Sequence, residues 1–386
     1  MDFSLSEEQR LFQDAVTRFA SAELAADALN RANSDVFPTD VAQRMAETGL
    51  LGITIAEDLG GLGGTLVDAI LAIQAVASVC PRSADVVQAG NFGAIRTFAE
   101  YATAEQRARY LPHLLAGEGH MAVGMTEPEA GSAVTELKTT ATYDGEAVVI
   151  NGTKIFGTHS ASADVFLIYV RFGPGIDGIG SVLVDRGAPG FEIGNPSKFM
   201  NGEHWSQLYF DNCRVPKSQV LLGQGGFKKQ ISGFNVERLG NAARAVAVGR
   251  HAFQVARDYA LTRQQFGRLL CEFQGLQWKF AEMELKLEAA QLLLMRAAVN
   301  ADQGLPSAHD TALAKLACNE AGFFAANESM QVMGALGFSE ESIVQYCVRR
   351  TRGWMIAGGS VEILKNRIAE GVFNKRFSQR APKLKG

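Results

Sequence analysis

The spacing of apolar residues changes twice along this 386-residue chain, and that double change restricts the fold more than any other feature. Up to Gly117 apolar positions recur every three or four residues. From His120 to about Leu222 they alternate or run in short β-branched blocks, and beyond Gln224-Gly225-Gly226 the helical spacing returns. A helical pattern does not settle as a strand, so the chain needs separate helical and β blocks. The expected architecture is α+β and multi-domain: an N-terminal α-helical domain over residues 1–117, a middle antiparallel β-barrel or sandwich over 118–224, and a C-terminal four-helix bundle over 225–386.

The first block reads as a helix over residues 4–31, with Ser4 and Ser6 as cap candidates and Glu7 and Gln9 three residues on. A run from Pro38 through Met45, the helical TLVDAILAIQAVASVC, and residues 91–101 and 104–115 follow. The glycine-rich GLLGITIAEDLGGLGG between them fits neither phosphate-binding pattern, which leaves a structural turn or a loop at a ligand's rim. In the β block, TTATY and AVVIN flank Asp144-Gly145, a hairpin signal, and Asn151-Gly152 is read as a second turn into KIFGT. The last block divides into a run opening at Phe234 and then residues 273–301, 307–333 and 339–373, the last interrupted at Gly358-Gly359.

Charge and cysteine usage exclude several classes. A net charge of −4 offers no basic excess for a phosphate backbone, so nucleic acid is not an expected partner. The five cysteines, Cys80, Cys213, Cys271, Cys318 and Cys347, are odd in number and contain no C-x-x-C pair; they read as buried reduced thiols in a cytoplasmic protein. The start MDFSLSEEQRLF lacks a secretory pattern, no apolar run approaches a membrane span, and the closing Lys-Leu-Lys-Gly matches no targeting signal.

Chemistry centres on residues 234–267. Glu237, Asn241 and Arg244 stand at i, i+4 and i+7, which lines three polar groups along one helix face. Spacing alone leaves two readings of Glu237: a first-turn carboxylate favoured by the helix dipole, or a buried general base. Asn241 and Arg244 either face a ligand cavity, where they would suit a polar or carboxylated group, or form an inter-helix or interface salt bridge. Arg82, after Pro81, reads as a surface residue.

Several strings, in order, decide the family. MTEPEAGS at Met125, GLLGITIAEDLGGLGG, NGTKIF at Asn151, RQQFG at Arg263 followed by EFQ, and QVMG at Gln331 together resemble the acyl-CoA dehydrogenase family across essentially the whole chain. The resemblance implies an FAD enzyme that takes a proton from the α carbon of an acyl-CoA thioester and passes the β hydrogen as hydride to flavin N5, with electrons then going to an electron-transfer flavoprotein. Enoyl-CoA reduction, flavin-dependent elimination such as desulfination, and a non-catalytic FAD-binding subunit are the alternatives it leaves. It also implies a homo-oligomer, a tetramer by expectation.

By the same resemblance Thr126 and Thr158 hydrogen-bond the isoalloxazine, Phe156 lies against it, and Ser132 sits near phosphates and substrate. Arg263, Phe266, Gln274, Gln331 and Gly334 hold the pyrophosphate and adenosine, some from a neighbouring subunit, with Met125, Ser360 and Glu362 also on the cofactor side. The family's usual C-terminal glutamate is Gly358 here, whereas a Glu-Arg string at the first bundle helix, Glu237-Arg238, matches the minority position of the base. The expected roles are therefore Glu237 as base and the Gly358 amide as donor to the thioester oxygen. Departures from the pattern are Ala133, His159, Ala335 and Arg349-Arg350.

Overall fold

A computed structural model describes residues 4–302 and 307–379; the terminal Lys-Leu-Lys-Gly lies outside them. The first block is helical: α1 (Glu7–Glu23), α2 (Ala28–Asn33), α3 (Thr39–Glu47), α4 (Leu66–Val79), α5 (Ala84–Asn91), α6 (Ala94–Tyr101) and α7 (Ala104–Leu115). Ser6 and Gln9 form the expected reciprocal cap on α1. The single helix expected over residues 4–31 is two, because the chain leaves helical geometry after Glu23 and turns Leu24 fully into the core. Residues 91–101 divide likewise. Phe92 and Gly93 separate α5 from α6, and Gly93 adopts φ +69°.

The strands are β1 (Met121–Gly124), β2 (Thr140–Asp144), β3 (Ala147–Thr158), β4 (Val165–Arg171), β5 (Ile179–Asp185), β6 (Phe191–Ile193), β7 (Ser197–Lys198), β8 (His204–Pro216) and β9 (Val220–Leu222). They join one sheet in the order β6-β8-β3-β2-β4-β5-β9, with β1 beside β4 and β7 beside β8. Asp144-Gly145 makes the expected β2–β3 hairpin. Two expectations are corrected. The sheet is mixed, since β1 runs parallel to β4. Asn151-Gly152 is no turn: β3 continues to Thr158, and the pair marks a register shift against β8 where Gly152 packs on Thr139.

Strand β4 is buried on both faces. Phe166, Ile168 and Val170 join the sheet's own interior, while Val165, Leu167 and Tyr169 pack with Ile95, Phe98 and Tyr110 of α6 and α7. The β block is thereby fastened to the helices before it.

The last block holds α8 (Phe227–Ala260), α9 (Gln274–Ala301), α10 (Ala308–Met333), α11 (Ala335–Phe338), α12 (Ile343–Trp354) and α13 (Val361–Val372). Helix α8 starts seven residues before the expected Phe234 and stops at Ala260, where a small hairpin of β10 (Gln264–Gln265) and β11 (Arg268–Leu269) replaces the helix expected to Gly267. Its alanine-rich face is buried, and it meets α10 where a Cβ on Gly249 would stand 2.6 Å from the Cα of Gly322. All cysteines are free; Cys271 is half-buried, against the expectation that all five are buried.

Candidate active site

Glu237 is the eleventh residue of α8, about three turns from the helix start, so the dipole of an N-terminal turn does not account for it. Its Oε2 accepts a 2.6 Å bond from Nε2 of Gln88 on α5 and lies against Gly93, where a Cβ would come within 2.6 Å of it. Burial raises the carboxyl to about 7, against the opposing pull of Arg244, Lys315 and the Gln88 bond. A carboxylate mostly buried but not sealed from solvent, and poised near neutrality, has the proton affinity and access a general base requires.

Gly93 keeps that carboxylate in place by having no side chain, and its positive φ is costly for any other residue. Gly93→Ala is expected to slow flavin reduction by about 10²-fold, the cost of displacing a reacting group by an ångström, with FAD still bound. Stopped-flow absorbance checks it; an unchanged rate would mean that the carboxylate is not held there.

Asn241, one turn after Glu237, leads to the second element. Gly358, at φ +72°, sits in the turn between α12 and α13, and a Cβ on it would lie 3.1 Å from Asn241 Nδ2. Arg238 Nε donates to the Gly358 carbonyl at 3.2 Å, Lys315 Nζ to those of Trp354 and Gly359 at 3.0 and 3.1 Å, and Asn319 Nδ2 to that of Trp354 at 2.7 Å. Carbonyls on this turn are thus tied down. Among the described residues the Gly358 N–H has no acceptor.

Arg82 is not at the surface but 1% exposed, in a network that joins all three blocks. Its Nη1 contacts Glu203 at 2.9 Å and Asp85 at 3.4 Å; Arg244 contacts Asp85 at 2.8 Å, and Arg350 bonds both carboxylates. His159 lies 3.3 Å from Glu203, and Arg244 and Arg350 both stack on Trp354. The structure therefore gives Arg244 the inter-helix salt bridge. Three guanidiniums meet two carboxylates, and Nε of Arg82, Arg244 and Arg350 and Nη2 of Arg82 are buried without partners.

The positions expected to hold FAD are mostly open. The loop from Met125 is anchored by Glu127, which accepts from the Lys138 and Thr139 amides and from buried Lys154, while Ile155 N–H bonds the Thr126 carbonyl at 2.9 Å. Ser132 and Thr158 are exposed, nothing lies within 4 Å of a Cβ built on Gly131, and half-exposed Phe156, at φ +59°, has its ring centroid 4.5 Å from that of Trp205 with the planes tilted by 56°. An immobilised loop beside an accessible aromatic face fits a large planar ring. Arg263, Gln274, Gln331 and Gly334 are exposed, Phe266 is 93% exposed, Ser360 caps α13, and Glu362 is exposed in its first turn. Among the described residues no hydrogen bond or ion pair joins these positions to Glu237.

Gln88, Gly93, Glu203 and Lys315 escaped the sequence reading. Only Lys315 carried a local signal, a lone lysine among the alanines of LAKLAC, on a face shared with Ala312, Cys318 and Asn319.

The family described as acyl-CoA dehydrogenase matches in three parts: its N-terminal domain over residues 6–118, its middle domain over 122–213 and its C-terminal domain over 224–373. The chain is 34% identical over 382 residues to acryloyl-CoA reductase (NADH) of Anaerotignum propionicum, covering 97% of each. It is 31% identical over 386 residues to 3-sulfinopropanoyl-CoA desulfinase of Paraburkholderia xenovorans LB400, covering 98% of this chain and 99% of that protein. The structure of glutaryl-coenzyme A dehydrogenase in complex with glutaryl-CoA superposes with a TM-score of 0.93 at 30% identity, covering 98% of each chain.

Proposed function

Since the chain belongs to the acyl-CoA dehydrogenase family, whose members are flavin oxidoreductases of acyl-CoA thioesters, we propose that Glu237 is the base that takes the α proton. The observation that carries this is its carboxylate, fixed between Gln88 and Gly93 one helical turn before Asn241, whose side chain abuts Gly358 and its unpartnered amide. FAD, the family's cofactor, accepts the β hydrogen with its electron pair when bound. Glu237 receives the proton, and the Gly358 N–H donates to the thioester oxygen as negative charge gathers there. Met125, Thr126, Ser132, Phe156 and Thr158 line the ring side, and Arg263, Phe266, Gln274, Gln331 and Gly334 serve the diphosphate and adenosine. With the base in place, a silent FAD-binding subunit has no support.

The acyl group is short and ends in a polar or acidic group. Asp85 lies one turn before Gln88 on α5, so the charged network begins about 5 Å along that helix from the residue holding the base. A long apolar chain would abut buried charges there, whereas an acid would meet the arginine N–H groups that have no acceptor. The relatives named for glutaryl-CoA and 3-sulfinopropanoyl-CoA act on acyl groups of that kind.

Electrons leave to an electron-transfer flavoprotein, and the enzyme is a tetramer. Supporting assembly, Trp278, Leu285, Leu292 and Val299 form an exposed apolar stripe down α9 at seven-residue spacing. No helix among the described residues is long and apolar enough to cross a membrane; the cytoplasm is the proposed location.

Anaerobic titration of the yellow holoenzyme with glutaryl-, 3-sulfinopropanoyl-, butyryl- and palmitoyl-CoA tests this. Bleaching by the acidic thioesters, weaker bleaching by butyryl-CoA and none by palmitoyl-CoA is expected. Flavin that no thioester bleaches, but that reoxidises with an enoyl-CoA after chemical reduction, would reverse the direction.

A further inference from the structure

One buried cation takes no part in the chemistry so far. Lys315 is fully buried on α10, and among the described residues its ammonium bonds no carboxylate, only the two carbonyls of the Gly358 turn. Burying an ammonium against neutral oxygens is expensive unless a nearby negative charge offsets it. That charge is Glu237. The two act on each other electrostatically, and the Lys315 Cε would lie 3.4 Å from a Cβ on Gly358.

We propose that Lys315 is a positioning residue of this reaction: it pins the carbonyls of Trp354 and Gly359 so that the Gly358 amide faces the thioester oxygen, beside the Asn241 side chain that stands one helical turn from Glu237. This rests on Glu237 being the base. An ammonium has three donors, and the two it spends here fix the turn on both sides of Gly358. Asn319 donates to the same Trp354 carbonyl, and Arg238 holds one further point, the carbonyl of Gly358. Ser360 then caps α13, so a shift of this turn would also move that helix's cap.

The charges around Lys315 are few. Helix α8 presents Glu237, Arg238 and Arg244, the last already paired with Asp85 of α5. On α12, Arg350 is bound to Asp85 and Glu203. Several other charges of the helices packed on α10 pair elsewhere: Lys279 with Glu328 and Arg296 with Asp310 on the α9 side, Lys365 with Glu320 and Arg367 with Glu370 on the α13 side. Burial, with Arg238 adding to it, brings the ammonium down to about 7, while Glu237 pulls upward. Base and ammonium therefore change charge over the same pH range, each supporting the ionised form of the other.

The test uses the FAD-loaded enzyme with its best acyl-CoA. Lys315→Met keeps the length of the side chain and removes donors and charge. It is expected to retain FAD and KM within about threefold, to lose kcat by about 10²-fold, as when an oxyanion donor is misplaced, and to shift the acid limb of kcat/KM to higher pH. The shift follows because an absent cation no longer favours the carboxylate. Lys315→Gln, which keeps a donor without the charge, should recover part of kcat while keeping the displaced limb. An activity loss that only tracks FAD content with an unmoved limb, normal turnover in Lys315→Met, or failure of both variants to fold would each overturn the proposal. If Glu237→Gln is inactive while Lys315→Met turns over normally, the assignment of the base stands and only this inference falls.

Discussion

Glu237→Gln retains bound FAD and acyl-CoA affinity but loses about 10³- to 10⁴-fold in the rate of flavin reduction, the contribution of a well-placed general base. The amide is nearly the same size and can still meet Gln88 Nε2 through its carbonyl oxygen, so the cleft keeps its shape. What disappears is the proton acceptor. The wild-type kcat/KM should rise with pH through about 7, because the carboxyl is protonated below that value and cannot accept the α proton. In Glu237→Gln the residual rate should lack this limb. Stopped-flow measurement from pH 5.5 to 8.5, on the order of the range that brackets neutrality, reads both effects. Retained turnover would move the base elsewhere, as would a limb that persists in the variant.

Part of the candidate site is legible in the sequence, and the reasons differ by residue. Glu237, Asn241 and Gly358 stand in strings whose order along the chain fixes their place, and Glu237 and Asn241 share a face because helical spacing is local. Gln88, Gly93 and Glu203 were not readable, since each acts through a partner more than a hundred residues away and no periodicity encodes such pairing. Arg82 shows the same limit with opposite sign. An arginine near a helix start is ordinarily solvated, and Glu203, brought in by the loop before β8, together with Asp85 makes its burial tolerable. The register shift at Asn151-Gly152 was misread because the dipeptide supplies the same backbone freedom to a bulge as to a turn. Helix α8 began earlier than expected because Phe227, Gln230 and Gly233 are also buried at helical spacing, although glycines immediately precede them.

Glu203→Gln should destabilise the protein by about 3–5 kcal/mol, the range for removing one member of a buried ion pair. Burial alone would raise the Glu203 carboxyl, but Arg350, with His159 and Arg82, holds it well below the usual carboxylate range. Its removal leaves three guanidiniums, each less than a tenth exposed, facing Asp85 alone. The pH dependence fixes the sign. A carboxyl with a lowered folded-state pKa contributes stability that is present above its ordinary 4.5 and is lost as pH falls below that value, so the wild type should weaken in acid more steeply than the variant. Urea midpoints at pH 7 and pH 4 read both quantities. The double change Glu203→Gln with Arg350→Gln should restore part of the loss, since it removes one stranded cation; additivity of the two single effects would show that they do not act on each other. Glu203 enters from the β block, Arg82 and Asp85 from the first helices, and Arg244 and Arg350 from the bundle. The same ion cluster that registers the three blocks against one another also borders Gln88, so loosening it should slow flavin reduction before the protein unfolds, in proportion to the freedom it returns to Glu237.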